Sequence, residues 1–147
     1  MTNKSYLAEY AQAVAADHEI LSRTVESARK LFTGEFPSDP AQEFTALRQM
    51  LGRKLPDHFT YEERRIFPAL LADHPTEELN ATIQKLIEDH DKLLARIRIL
   101  QGLLLHRTAA TCTPELWTQL LDFFEDLEEH TGREDALFRQ FSTLAGR

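Results

Sequence analysis

Histidine and glutamate stand four residues apart in His58-x-x-x-Glu62 and again in His130-x-x-x-Glu134. On a helix, residues i and i+4 share a face with Cβ atoms about 5–6 Å apart, so each pair can aim an imidazole and a carboxylate at one point. That donor set, without thiolates, suits iron or manganese better than a closed structural zinc site. His74 and Glu78 share the spacing, but Pro75 lies between them, and the pair reads as coincidence.

An internal repeat selects the two meaningful pairs. A shift of 72 residues carries His18 onto His90, His58 onto His130 and Glu62 onto Glu134. Neighbours follow, with Asp17 on Asp89, Leu21 on Leu93, Leu55 on Leu127, Asp57 on Glu129 and Glu63 on Asp135. Two helical hairpins related by a pseudo-two-fold axis account for this pattern.

The elements that must position these residues are four. Leu7, Ala11, Val14, His18, Leu21, Val25, Ala28 and Phe32 recur at helical spacing and predict a first helix over 4–33. Residues 34–39 break it, and Asp39-Pro40 has the N-cap and first-turn proline of a second helix reaching about Ala72. Its inner stripe is Phe44, Leu47, Leu51, Leu55, His58 and Glu62. Pro56 is expected to kink it one turn before His58, and Pro68 to kink or end it. Thr76 caps a third helix carrying Leu79, Ile83, Leu86, His90, Leu93, Ile97 and Leu100, as far as about Arg107. Thr113-Pro114 opens a fourth with Leu116, Leu120, Phe123, Leu127, His130, Glu134 and Phe138. The expectation is an all-α protein, an up-down-up-down antiparallel four-helix bundle formed by residues 1–147 as one domain.

A rise of about 1.5 Å per residue brings all four histidines to one layer of such a bundle. His74 and His106 fall at loop ends and read as surface residues. A layer of four buried histidines and two buried glutamates would cost about 1–3 kcal/mol for each group left unpartnered, so hydrogen-bonded core histidines alone are a poor account. Metal ligation by His18, His58, Glu62, His90, His130 and Glu134 removes the difficulty. Six ligands are too many for one tetrahedral ion. They suit two, with each glutamate bridging, two histidines per metal, and an oxo or hydroxo bridge leaving a position open to a small molecule.

Composition narrows the partners. The 147 residues carry a formal charge of −7, which argues against nucleic acid. No apolar run is long enough for a membrane helix, and the start MTNKSYLAEYAQAV lacks a signal-peptide core, so cytoplasmic residence is expected. The single Cys112 reads as an ordinary loop thiol.

The pattern His18, His58-x-x-x-Glu62, His90, His130-x-x-x-Glu134, with EERRIFPAL after the second histidine, resembles the hemerythrin-like (HHE) cation-binding family over essentially the whole chain. The resemblance implies a non-haem di-iron site in a four-helix bundle, with those six residues as ligands and manganese as the other candidate metal. Oxygen-carrying members have a further histidine four residues after the third-helix ligand, where this chain has Leu94. They also place a carboxylate five residues after the last histidine, which is Asp135 here, whereas helical phase favours Glu134. The four-His, two-Glu set looks more like hemerythrin-like proteins of nitric oxide and oxidative stress response and of iron-centre repair. The repair proteins carry an additional cysteine-bearing N-terminal segment that this sequence does not show. The expected ligand is therefore O₂, NO or peroxide, with reversible binding or sensing on one side and an oxidoreductase or iron donor on the other. Around the site, Tyr61 could supply a phenol, Gly132 could leave room, and Asp17, Asp57, Asp89 and Glu129 could accept from imidazole N–H groups.

Overall fold

A computed structural model describes residues 3–33, 39–108 and 110–145, with side chains over 9–33, 39–108 and 110–141. The described chain is all-helical and packs as a four-helix bundle. The first helix spans Asn3–Thr33, the third Glu77–Leu104 and the fourth Pro114–Ala145. The expected inner residue Leu7 and the break over 34–38 lie outside the residues whose side chains or backbone are described.

The helix starts follow local chemistry. Asp39, Thr76 and Thr113 each accept a bond from the backbone N–H three residues on, satisfying a donor that the first turn cannot. Three expectations are corrected. Leu31, not Phe32, completes the inner stripe of the first helix; Phe32 is exposed and rests on Trp117 at 6.0 Å between ring centroids. A step of three from Ala28 keeps the apolar face inward where a step of four carries it past. The third helix stops at Leu104, short of Arg107. His74 is only half-exposed, because its ring packs on Phe141 at 4.6 Å.

The second rod continues unbroken from 40 to 73 through two prolines, and it does so without ending at Pro68. Each proline is preceded by one wide π-helical turn, Met50–Lys54 before Pro56 and Glu62–Ile66 before Pro68. There Leu55 N–H reaches back to Met50 O, and Phe67 N–H to Glu62 O. A proline has no N–H and its ring collides with the carbonyl four residues back, so a helix widened by one residue admits it. His58 lies between the two turns and Glu62 opens the second.

Two apolar clusters fill the bundle. One gathers Leu21, Val25, Leu47, Leu51, Leu55, Phe59, Leu93, Ile97, Leu120, Phe123 and Leu127. The other gathers Val14, Ile66, Phe67, Leu70, Ile83, Leu86 and Phe138. Between them lies a layer of buried polar residues.

Gly132 occupies the fourth helix near this layer, and an added Cβ would meet nothing within 4 Å. Gly132→Ala is therefore expected to stabilise the protein by about 0.5–1 kcal/mol through helix propensity, read by urea unfolding. A loss of stability would show that the site needs the bare backbone there.

Candidate metal centre

His18, His58, Glu62, His90, His130 and Glu134 are the buried polar residues of the described core, none more than 8% exposed. The first helix delivers His18, the second rod His58 and Glu62, the third helix His90, and the fourth His130 and Glu134. These are the six residues singled out by sequence, and the fold brings all six together.

The imidazoles share one orientation. Each Nε2 faces inward. His58 and His90 come within 3.3 Å of Glu62 Oε1, His130 lies 3.1 Å from Glu134 Oε1, and His18 lies 3.5 Å from the same oxygen. Each Nδ1 faces outward to a second carboxylate. His18 donates to Asp135 at 2.7 Å, His58 to Asp17 at 2.9 Å and His130 to Asp89 at 3.4 Å, while His90 stands 3.8 Å from Glu63. A carboxylate only accepts, so in His18, His58 and His130 the outer contact keeps the proton on Nδ1 and leaves the Nε2 lone pair turned to the centre.

The outer carboxylates are only partly those expected. Asp17 and Asp89 do accept from histidines, but from His58 and His130 on the neighbouring helices and not from the residues beside them. Asp57 is exposed, and Glu129 is exposed and paired with Arg133 at 3.2 Å; neither meets a histidine of the layer. Asp135 sits outside the centre, where it holds His18, while Glu134 points in. Asp135 and Glu63 each follow a buried glutamate at repeat-equivalent positions, a signal available in the sequence. Tyr61 is half-buried beside His58, edge-on to Tyr10 at 6.2 Å. Phe59 and Phe67 were not singled out, yet both stack on His90, at 4.2 Å and 6.0 Å between ring centroids.

Charge is concentrated where water is not. Burial, with Glu134 beside it, pushes the Glu62 carboxyl well up. Burial acts on Glu134 in the same sense, but contacts from Glu62, His130, His18 and His90 outweigh it and hold Glu134 well below the usual range. Burial pulls His58 down, whereas for His18 the contacts with Glu134 and Asp135 outweigh burial and raise it. Burial thus opposes ionisation of both carboxylates, and only at Glu134 do the neighbouring contacts outweigh it.

Both oxygens of Glu62, both of Glu134, and Nε2 of His90 and His130 are buried without a hydrogen-bond partner. Buried polar atoms are normally satisfied, and these converge from three helices on one point. The donors fall into two groups whose ligand atoms lie within 4.8 Å of one another: His18, His58, Glu62 and Glu134, and Glu62, His90, His130 and Glu134. The residues fit a metal cation. A helical bundle holding such a layer is a cation-binding protein, and its sequence agrees. The hemerythrin HHE cation binding domain matches residues 10–141, and the chain belongs to that family. No curated protein and no solved structure matches the chain.

If the outer carboxylates set histidine orientation, Asp17→Ala should weaken cation affinity about 10–100-fold, whereas Asp57→Ala should leave it unchanged. Competition against a chelating dye measures both. Equal affinities would remove Asp17 from the site.

Proposed function

We propose that this chain is a non-haem di-iron protein whose centre takes O₂, NO or peroxide, in binding, sensing or stress response. One observation carries the reading: the two donor groups share both Glu62 and Glu134 and divide the four histidines between them. Each glutamate thus serves two positions, with His18 and His58 at one and His90 and His130 at the other. Nitrogen–oxygen ligation without thiolate favours iron, with manganese as the alternative. The bound pair would supply redox chemistry and positions for a small ligand. The chain's own residues orient His18, His58 and His130 through Nδ1 and exclude water with two apolar clusters.

The same reading includes one up-down-up-down antiparallel domain made of two hairpins. Supporting it, the 72-residue shift carries the Asp17–His58 contact onto Asp89–His130, and Asp135–His18 onto Glu63–His90. Among the described residues no helix is long and apolar enough to cross a membrane.

A second reading, an oxidoreductase acting on peroxide, O₂ or NO or an iron donor for repair, draws on Tyr61 beside Tyr10 at the cleft that reaches His58. Metal analysis of protein produced with iron, with near-ultraviolet absorption before and after O₂, NO or peroxide, tests both. About two irons per chain with a ligand-dependent band supports the first reading. Turnover of peroxide supports the second, and a single retained zinc overturns both.

A further inference from the structure

The two halves of the centre are related by sequence but not equally enclosed. His90 is fully buried and stacks on Phe59 at 16° and on Phe67 at 19°. The positions equivalent to these rings by the repeat are Thr131 and Arg139, and Leu94 beside His90 corresponds to Ser22 beside His18. The apolar wall of one half is therefore replaced by small and polar side chains in the other. There His18 reaches the surface at 8% exposure, the most of the six. Two clefts, of about 510 and 430 Å³, meet at His18, Ser22 and Asp135 between the first and fourth helices.

The other two histidines show the same imbalance. His58 borders a cleft of about 410 Å³, whereas the equivalent cleft at His130 is smaller, about 280 Å³, and is lined by Arg133 paired with Asp89 at 2.7 Å and with Glu129. Arg96 and Asp126 form a further ion pair across it. One end of the centre, held by His18 and His58, is approachable; the end held by His90 and His130 is walled by rings and ion pairs.

We propose that the small ligand reaches the centre at its His18/His58 end, through the gap between the first and fourth helices formed by Ser22, Thr131 and Asp135. The mouth carries Glu19, Glu26, Glu128 and Asp135 against Arg29 and Arg139, so its field disfavours anions and suits an uncharged molecule such as NO, O₂ or hydrogen peroxide. The proposal rests on the reading that the centre takes such a ligand, yet the route can be tested apart from it.

In metal-free protein, dissolved O₂ should enhance the relaxation of the His18 imidazole C–H signals more than those of His90; equal enhancement overturns the route whether or not the loaded centre binds anything. In iron-loaded protein, Ser22→Leu with Thr131→Phe copies the wall of the opposite half onto this one. It should slow NO association about ten-fold or more at unchanged iron content, within the one to three decades over which association rates vary among variants of one site. Ile20→Phe, at the His58 cleft, should leave the rate as it is. An unchanged rate in the double variant, or slowing by Ile20→Phe alone, overturns the gap as the route. Absence of any NO binding by the unmodified loaded protein would instead count against the proposed function.

Discussion

Loading metal-free protein with ferrous iron in the absence of air is expected to raise its Tm by about 10 °C, and a chelator should reverse the rise. A cation held at a thousand times its Kd adds about 4 kcal/mol to the folded state. For a domain of this size each kcal/mol moves Tm by about 2–4 °C, or somewhat more. The gain arises because the metal-free core keeps polar atoms of Glu62, Glu134, His90 and His130 buried without partners. Calorimetry with and without iron measures the difference. His58→Ala combined with His130→Ala removes one imidazole from each donor group and should abolish the rise. A double variant that retains the full shift would show that the cation sits elsewhere.

Replacing Glu62 by leucine should reverse the order of stability between the metal-free and iron-loaded comparisons. Glu62 is 0% exposed and neither of its oxygens has a hydrogen-bond partner. An unpartnered buried polar group costs about 1–3 kcal/mol, and leucine of similar volume carries no such cost. Metal-free Glu62→Leu is therefore expected to be more stable than the parent by up to about that amount. With iron present the parent gains and the variant does not, because Glu62 belongs to both donor groups. Urea unfolding at fixed pH, with and without iron, gives the four numbers needed. A variant less stable under both conditions would mean that Glu62 holds the bundle together for reasons unrelated to a cation.

The two experiments probe a site whose stability cost is retained for binding. Its neighbours Leu55, Phe59 and Phe123 are fully buried hydrocarbon, while Glu62, His90, His130 and Glu134 between the clusters keep atoms unpartnered until something joins them. Polar groups of this kind in an otherwise consistent core are where function is expected.

The inward set of six was legible before any coordinates because helical geometry is nearly constant. A period of 3.6 residues puts His58 with Glu62 and His130 with Glu134 on one face, and the 72-residue repeat distinguishes these pairs from His74–Glu78. The caps at Asp39, Thr76 and Thr113 were equally local, since a side-chain oxygen and an N–H three residues on belong to one turn.

Contacts between helices were not legible in that way. Asp17 precedes His18 by one residue, a rotation of about 100° that turns it off the inner face and toward a neighbouring helix, where it meets His58. Asp57 stands in the equivalent position beside His58 and meets only solvent, because no imidazole of the layer faces it from the next helix. The widened turns before Pro56 and Pro68 depend on a backbone able to take in one extra residue per turn. The sequence alone therefore determined which six groups turn inward and the donor chemistry they offer, since that depends on phase along single helices. Only the tertiary structure decided which carboxylate holds which histidine, that Phe59 and Phe67 seal His90, and that the centre is left approachable beside His18. Those depend on how each helix is rotated against its neighbours, which no single-helix period contains.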